Sequence, residues 1–194
     1  MEALEIRTVT EKDAGALLDI YAHYVKNTAV TFEYAVPGEN EFRNRILRIL
    51  EKFPYLAAVL DGEIVGYAYA GTFHPRAAYG WAVETTVYIK KEKKHMGIGR
   101  RLYQELEEIL KEQNILNMYA CIACPEREDE HLTRDSIVFH DHMGFRMIGE
   151  FRCCGYKFGR WYNMVWVEKH IGSHEEKPKK VRTFDEVKGK FGLQ

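Results

Sequence analysis

The chain has few cysteines, no long apolar run and almost no net charge, and each shortage removes a class of protein. Its four cysteines, Cys121, Cys124, Cys153 and Cys154, are few for 194 residues and all lie in apolar segments, which argues against a disulfide scaffold and for reduced thiols. The Cys121-x-x-Cys124 spacing also resembles half a zinc site that Cys153, Cys154 and His131 would complete. Alternation along Met118–Cys124 already explains Cys121 as one side chain of a buried strand, so ordinary core cysteine is the reading adopted. Twenty-eight Lys and Arg oppose 29 Asp and Glu, a net charge of −1, which supplies no global field for nucleic acid or anionic lipid and turns attention to a small partner. No run of about 18 apolar residues is present to cross a bilayer, and the acidic start Met1–Glu5 lacks the basic and apolar regions of a signal peptide. A soluble, cytoplasmic protein of one domain is expected, long enough to bury roughly two thirds of its unfolded surface. No internal repeat is visible.

What is present reads as strands and helices in a definite order. Leu4–Val9 alternates like a strand, and Thr10 with Asp13 is the spacing of a helix cap, followed by a helix over about 11–26 with Ala14, Leu17, Leu18, Tyr21 and Val25 on one face. Pro37-Gly38 precedes a second helix over about 39–52, with Phe42, Ile46, Ile49 and Leu50 as its stripe. Two strands, 55–60 and 63–70, flank Asp61-Gly62, a pair suited to the positive φ angles of a tight hairpin. A loop over 71–80 leads to a strand at 81–89, a charge cluster at Lys90–Lys94, and a long helix from Gly97 to about Gln113 carrying Leu102, Leu106, Ile109 and Leu110. A strand at 118–123, an exposed charged loop at 125–134, a helix at 136–143, and two antiparallel strands at 144–156 and 161–168 complete the pattern. The order implies an α/β (α+β) fold: a twisted, mixed, mostly antiparallel central sheet with helices on both faces and one parallel crossover in its middle. The domain is expected to span 1–171. Residues 172–194 form a polar tail or short docking segment, with Val181, Phe184, Val187, Phe191 and Leu193 as anchors.

The informative unit is strand, glycine loop, helix. In Lys94-His95-Met96-Gly97-Ile98-Gly99-Arg100-Arg101 the glycines permit a tight turn with exposed N–H groups, and the helix N-terminus adds its positive dipole end. A phosphate or pyrophosphate fits such a place. The nucleotide-hydrolysing phosphate loop is excluded because Arg100 follows Gly99 where Lys and Ser or Thr would be needed. A dinucleotide fingerprint fits poorly, since it belongs after a first strand. His140-Asp141-His142 is not a metal pair, because residues two apart on a helix point in different directions, and no metal is expected.

The stretch Val83–Ile89 followed by Lys94-x-x-Gly97-x-Gly99 resembles the acetyl-CoA-binding motif of the GNAT superfamily of N-acetyltransferases. Thr31-Phe32-Glu33, Arg76-x-x-Tyr79-x-Trp81-x-x-Glu84, Ser136-x-x-x-His140-x-x-x-Gly144-Phe145 and Gly155–Trp161 make the chain similar to the phosphinothricin and methionine sulfoximine acetyltransferase branch over about residues 4–168. The resemblance implies the GNAT fold, acetyl-CoA as acyl donor, a small-molecule amine acceptor and a homodimer, for which Trp161–Val167 offers an apolar strand. It also implies roles. The backbone at Val87, Tyr88 and Ile89 would pair with the pantetheine arm, and Lys94, His95, Met96, Gly97, Ile98, Gly99 and Arg100 would cradle the pyrophosphate. Ser136 and His140 would sit near the cofactor, and Glu84 would be the general base. Phe32, Glu33, Arg76, Tyr79, Tyr156 and Trp161 would line the acceptor pocket. The chain departs from the pattern at Lys94, where glutamine or arginine is usual, at Thr133, where asparagine is usual, and in the acidic stretch Glu126–Glu130.

The chemistry needs a carboxylate, because an amine must lose its proton before attacking a thioester. A backbone N–H can then stabilise the oxyanion, and the thiolate needs a proton, for which Tyr156, Tyr162, Tyr119 and Ser136 are candidates. Direct transfer is expected rather than an acyl-enzyme on Cys124 or Cys153, since no histidine stands at a diagnostic spacing from either. The expected reaction is acetylation of the amino group of a small amino acid or analogue. A polyamine or peptide N-terminus, favoured by an acidic groove at Glu126–Glu130, and a non-catalytic acyl-CoA-binding regulator are the alternatives.

Overall fold

The computed structural model describes residues 4–192. Strand β1 (Glu5–Thr8) leads through a 3₁₀ turn at Glu11–Asp13 into helix α1 (Ala14–Asn27), and α2 (Glu39–Leu50) follows. Strands β2 (Tyr55–Leu60), β3 (Glu63–Thr72) and β4 (Ala82–Ile89) precede α3 (Ile98–Glu112), then come β5 (Asn117–Cys124), α4 (Asp135–His142), β6 (Arg146–Lys157) and β7 (Arg160–His170). The cap expected at Thr10 is present: its N–H donates to Asp13 Oδ2 at 2.7 Å. The Arg7 guanidinium grips both oxygens of that carboxylate at 2.8 Å, tying β1 to the helix it feeds.

The seven strands form one sheet in the order β1-β2-β3-β4-β5-β7-β6. Every neighbouring pair is antiparallel except β4 and β5, because α3 carries the chain back over the sheet between them. Two hairpins turn as their residues dictate, with φ of 56° and 79° at Asp61 and Gly62, and 52° and 74° at Phe158 and Gly159. The period of two sorts side chains to opposite faces. Leu56, Ala58, Ala68, Val83 and Met118 meet Leu102, Leu106 and Leu110 of α3 on one face, and Tyr55, Ala57 and Tyr67 meet Leu17, Tyr21, Phe42 and Ile46 of α1 and α2 on the other.

Two expectations are corrected by this topology. Strand β7 lies between β5 and β6, with Trp166 opposite Cys121 on one side and Gly149 on the other. Trp161–Val167 therefore has no free edge for a second copy, and Tyr162, Val165 and Val167 are buried. The outer edge belongs to β6, where Met147, Ile148 and Phe151 are exposed. Among the cysteines, Cys124 is a core residue but Cys121, Cys153 and Cys154 are exposed. Cys153 and Cys154 lie where the β6–β7 register shifts between Phe151 and Gly155, and Cys153 has φ of 47°, so a β-bulge turns this stretch out of the ladder. Among the described residues no group of three His, Cys, Asp or Glu side chains is placed to hold a metal ion, and no helix is long and apolar enough to cross a membrane.

Beyond His170 the chain runs back along the C-terminal end of α3. Phe184 and Val187 are 2% and 1% exposed and join the α3 face of the core. Val181 and Phe191 pack against it, whereas Leu193 lies outside the described residues. The buried Gln113 amide donates to the carbonyls of Lys52 and Arg182 at 2.8 Å each, Arg182 pairs with Glu112 at 2.9 Å, and the Trp81 indole N–H donates to Lys179 O at 2.7 Å. Phe184→Ala should therefore cost about 3–5 kcal/mol, the range for emptying a buried aromatic site, measured by urea unfolding. A loss below about 1 kcal/mol, typical of a surface substitution, would mean that the segment is not part of the core.

Candidate active site

Strands β4 and β5 pair only from Ala82 to Glu84 against Asn117 to Tyr119. Past Glu84 they diverge, and the last link is a side chain: the buried Thr85 hydroxyl donates to Tyr119 O at 3.1 Å. The divergence leaves one side of β4 without a strand partner. Lys90 N–H donates to Val65 O in β3 at 2.8 Å, while the Tyr24 hydroxyl of α1 reaches Ile89 O at 2.5 Å. Because main-chain groups alternate in direction along an antiparallel pair, Glu84, Thr86 and Tyr88 give theirs to β3, and Thr85, Val87 and Ile89 turn theirs into the gap. Val87 is thus placed to pair with an extended ligand. Ile89 has only its N–H to offer, and Tyr88, whose main-chain groups face β3, is a further lining residue.

A cavity of about 480 Å³ fills the gap. Its walls include Glu84, Val87 and Tyr88 from β4, Cys121 from β5, Ser136 and His140 from α4, Phe32 from the α1–α2 loop and Cys154 from the β6 bulge. Burial pushes the Glu84 carboxyl up, and the charge of His74 opposes the shift. Although open to the cavity, the Cys121 thiol is desolvated by the surrounding walls and pushed up to about 12, helped by the nearby Glu84 and Cys154, and burial also raises Cys124. Both thiols keep their protons near neutrality and are poor nucleophiles.

On the α4 side stands a buried polar chain. His140 Nδ1 lies 2.7 Å from Ser136 O, and a carbonyl only accepts, so Nδ1 carries the proton. Burial lowers the imidazole to about 4, so it is neutral, and Nε2 accepts from the Tyr103 hydroxyl at 3.0 Å. Tyr103 lines the cavity beside Thr85. Tyr103 is not legible as a site residue in the sequence because it lies among the leucines of the α3 stripe. Its signal was a polar tip on the buried face of the helix that follows the glycine loop. Of the four candidate proton donors for the thiolate, Ser136 lines the cavity. Tyr162 donates instead to Asp129 at 2.9 Å, Tyr119 accepts from Asn117 at 2.9 Å, and Tyr156 is exposed.

The glycine loop stands at the N-terminus of α3. Gly97 caps the helix with φ of 78°, and His95 is left-handed as well, at 60°. His95, Met96, Gly97 and Arg100 are exposed, while Ile98 is buried and anchors the turn. Gly99 serves packing rather than the turn: a Cβ there would come within 3.3 Å of the Phe139 ring. Lys94 Nζ lies 5.2 Å from the centre of the Tyr24 ring, linking the loop to the tyrosine that closes the β4 gap.

The expected acceptor residues are only partly gathered. Phe32 lines the cavity. Glu33 is ion-paired with Arg45 at 2.8 Å. Arg76 and Tyr79 lie on the exposed loop before β4, where Tyr79 packs on Phe73 and His74 at 5.9 and 5.1 Å between ring centres. Tyr156 and Trp161 face each other across the last hairpin at 5.0 Å, and Trp161 is 62% exposed. Glu33 and these four are absent from the cavity wall: Arg76 and Tyr79 belong to the loop that precedes β4, and Tyr156 and Trp161 pair at the turn end of the β6–β7 ladder, past Asn163, the last β7 residue that β5 reaches.

Comparison with known proteins agrees with this geometry. The acetyltransferase (GNAT) domain model matches residues 6–166. Phosphinothricin N-acetyltransferase of Streptomyces coelicolor is 35% identical over 172 residues, covering 87% of this chain and 96% of the relative. The L-methionine sulfoximine/L-methionine sulfone acetyltransferase of Pseudomonas aeruginosa is 30% identical over 175 residues, covering 89% and 98%. The crystal structure of a GNAT superfamily phosphinothricin acetyltransferase from Sinorhizobium meliloti in complex with AcCoA superposes with a TM-score of 0.83 at 30% identity, covering 91% of this chain and 93% of that one.

The burial of Glu84 makes a prediction independent of any reaction. Carboxyl-carbon NMR should show it titrating above the 4.5 of an unperturbed glutamate, and a value at or below that would contradict the described environment.

Proposed function

This chain belongs to the GNAT acetyltransferase family, in the branch of phosphinothricin and methionine sulfoximine acetyltransferases, and we propose that it acetylates the amino group of a small amino acid or analogue with Glu84 as general base. Acetyl-CoA-dependent acetylation of a small amine is the activity of the family group. The observation that carries the finer reading is the half-buried Glu84 carboxyl, held above its usual range at the point where β4 leaves β5.

The donor site fits what the chain presents. The gap-facing N–H and C=O of Val87 suit an extended amide-bearing arm, as an added strand would. The α3 N-terminus, with Lys94, His95 and Arg100 around it, suits a pyrophosphate. Glu84 takes a proton from the acceptor ammonium, directly or through a water, so that the nitrogen lone pair can attack the thioester carbonyl carbon. The nitrogen–carbon bond forms while a gap-facing backbone N–H stabilises charge on the oxygen, and as the carbon–sulfur bond breaks the second proton shed by the nitrogen passes to the CoA thiolate, toward which Ser136 on the cavity wall can relay it. Transfer is direct, since Cys121 and Cys124 are both shifted toward the inert thiol.

An amino-acid acceptor is supported over a polyamine by the state of the acidic loop. Asp129 and Glu130 both pair with Arg160, at 3.0 and 2.8 Å. Glu128 accepts the backbone N–H of Arg134 at 2.7 Å. These carboxylates brace the loop rather than offering an open anionic groove. The loop before β4 borders the base, since the charge of His74 acts on Glu84, and it carries Arg76, whose forked donors suit an acceptor carboxylate.

The test is CoA-thiol release across a panel of L-amino acids, amino-acid sulfones and polyamines. Wild type should acetylate the amino acids or sulfones. Glu84→Gln should lower kcat by about 10²–10⁴-fold, with partial recovery at high pH and unchanged acetyl-CoA affinity. Acetyl-CoA binding without transfer to any amine, or a fully active Glu84→Gln, would contradict the reading.

A further inference from the structure

Lys157 is the last residue of β6, and only 3% of it is exposed. Among the described residues no carboxylate lies within ion-pair distance of it. Burying an ammonium without a counter-ion is costly, and a methionine would fill comparable space. The charge instead serves main-chain oxygens: Nζ donates to Thr28 O at 2.8 Å and to Thr31 O at 2.7 Å. Thr28 is the C-cap of α1, where unpaired carbonyls and the negative end of the helix dipole favour a cation. The ammonium therefore caps a helix distant in sequence and ties down the loop that leaves it. Burial pulls the Lys157 pKa down and the charge of Glu33 opposes this.

That loop is a wall of the cavity. Val30, Thr31 and Phe32 line it, and their cavity is the one that holds Glu84. The neighbouring contacts leave the wall little slack. A Cβ on Gly155 would lie 2.3–2.8 Å from three atoms of the Phe32 ring, so Phe32 rests directly on the β6 backbone two residues before Lys157. The turn residue Phe158 stacks on His131 at 3.9 Å. His131 in turn bonds Asn27 O at 3.1 Å through Nδ1 and takes the Ala29 N–H at 3.0 Å. Tyr21 and Thr31 share a hydroxyl hydrogen bond of 3.0 Å.

We propose that Lys157 is a positioning residue for acceptor binding: its ammonium, by holding the carbonyls of Thr28 and Thr31, sets Phe32 and its neighbours as the acceptor wall. The inference rests on the transfer reaction proposed above and assigns a specificity role to a residue that never touches the acceptor. Lys157 holds the chain only at Thr28 and Thr31, past the last turn of α1, whereas the helix reaches Ile89 and Lys94 one turn earlier through Tyr24, so loss of the ammonium should move the acceptor wall more than the donor site. Lys157→Met in the full chain should raise KM for the best amino-acid acceptor by about tenfold or more with a smaller change in kcat, since small misplacements of a binding wall are expensive. Acetyl-CoA affinity by calorimetry should stay within about twofold. Gly155→Ala, which displaces Phe32 while keeping the ammonium, should give the same split and serves if Lys157→Met does not fold. A double variant with Phe32→Ala should lose less than the sum of the single losses, because both substitutions act on one wall.

An unchanged amine KM in a folded Lys157→Met, an equal loss of acetyl-CoA affinity, or strict additivity with Phe32→Ala would overturn the inference while wild-type transfer stands. Wild type that binds acetyl-CoA and acetylates no amine would overturn the transfer reading itself, and this inference with it.

Discussion

The separation of β4 from β5 after three residues of parallel pairing is the constraint on which the site depends. A buried sheet interior does not leave main-chain N–H and C=O groups without partners, so a gap in the ladder must be filled. Here the filling is partial. The Thr85 hydroxyl bridges the fork, and the Tyr24 hydroxyl takes the carbonyl of Ile89 at the far end. Between them Val87 faces a cavity. The same opening exposes the flank of β5, and Cys121 lines the cavity there.

The gap persists because rigid parts hold both of its sides. On one face α3 and α4 close against each other at Gly99, where a Cβ would come within 3.3 Å of the Phe139 ring, and the Tyr103–His140 pair satisfies the buried polar groups behind it. On the other face α1 is tied to β4 by Tyr24 and to β6 by Lys157. The acidic loop plays a structural part as well. Asp129 accepts the N–H groups of His131 and Leu132, and Leu132 is itself a lining residue. Charges that look surplus in the sequence are thus used in bracing the cavity.

Much of this was legible in residues whose role is local. Asp61-Gly62 announced its hairpin, Thr10 and Asp13 their cap, and Gly97 the turn into α3, because each is dictated by backbone conformation within a few positions. The central crossover followed from the long apolar stripe between two strands, and Glu84 stood out through the resemblance of its surroundings to the GNAT pattern. The fork itself was not legible, since Thr85, Val87 and Ile89 alternate in the same way whether their neighbour is a strand or a ligand. Tyr103 was hidden among leucines. Lys157 read as an ordinary turn residue because a buried ammonium is recognisable only from what surrounds it. Tyr156 and Trp161 suggested a pocket, but they pair with each other at the turn end of the last hairpin, past the reach of β5, and where a neighbouring strand stops is not written in the hairpin's own residues.

The most direct measurement is residue-resolved amide exchange by NMR with and without acetyl-CoA. If the fork between β4 and β5 is the donor slot, acetyl-CoA should protect the Val87 amide and the amides from Gly97 to Arg100. The Tyr88 amide, already bonded to β3, should change little. Protection of Tyr88 without Val87, or protection confined to a surface away from the fork, would contradict the account.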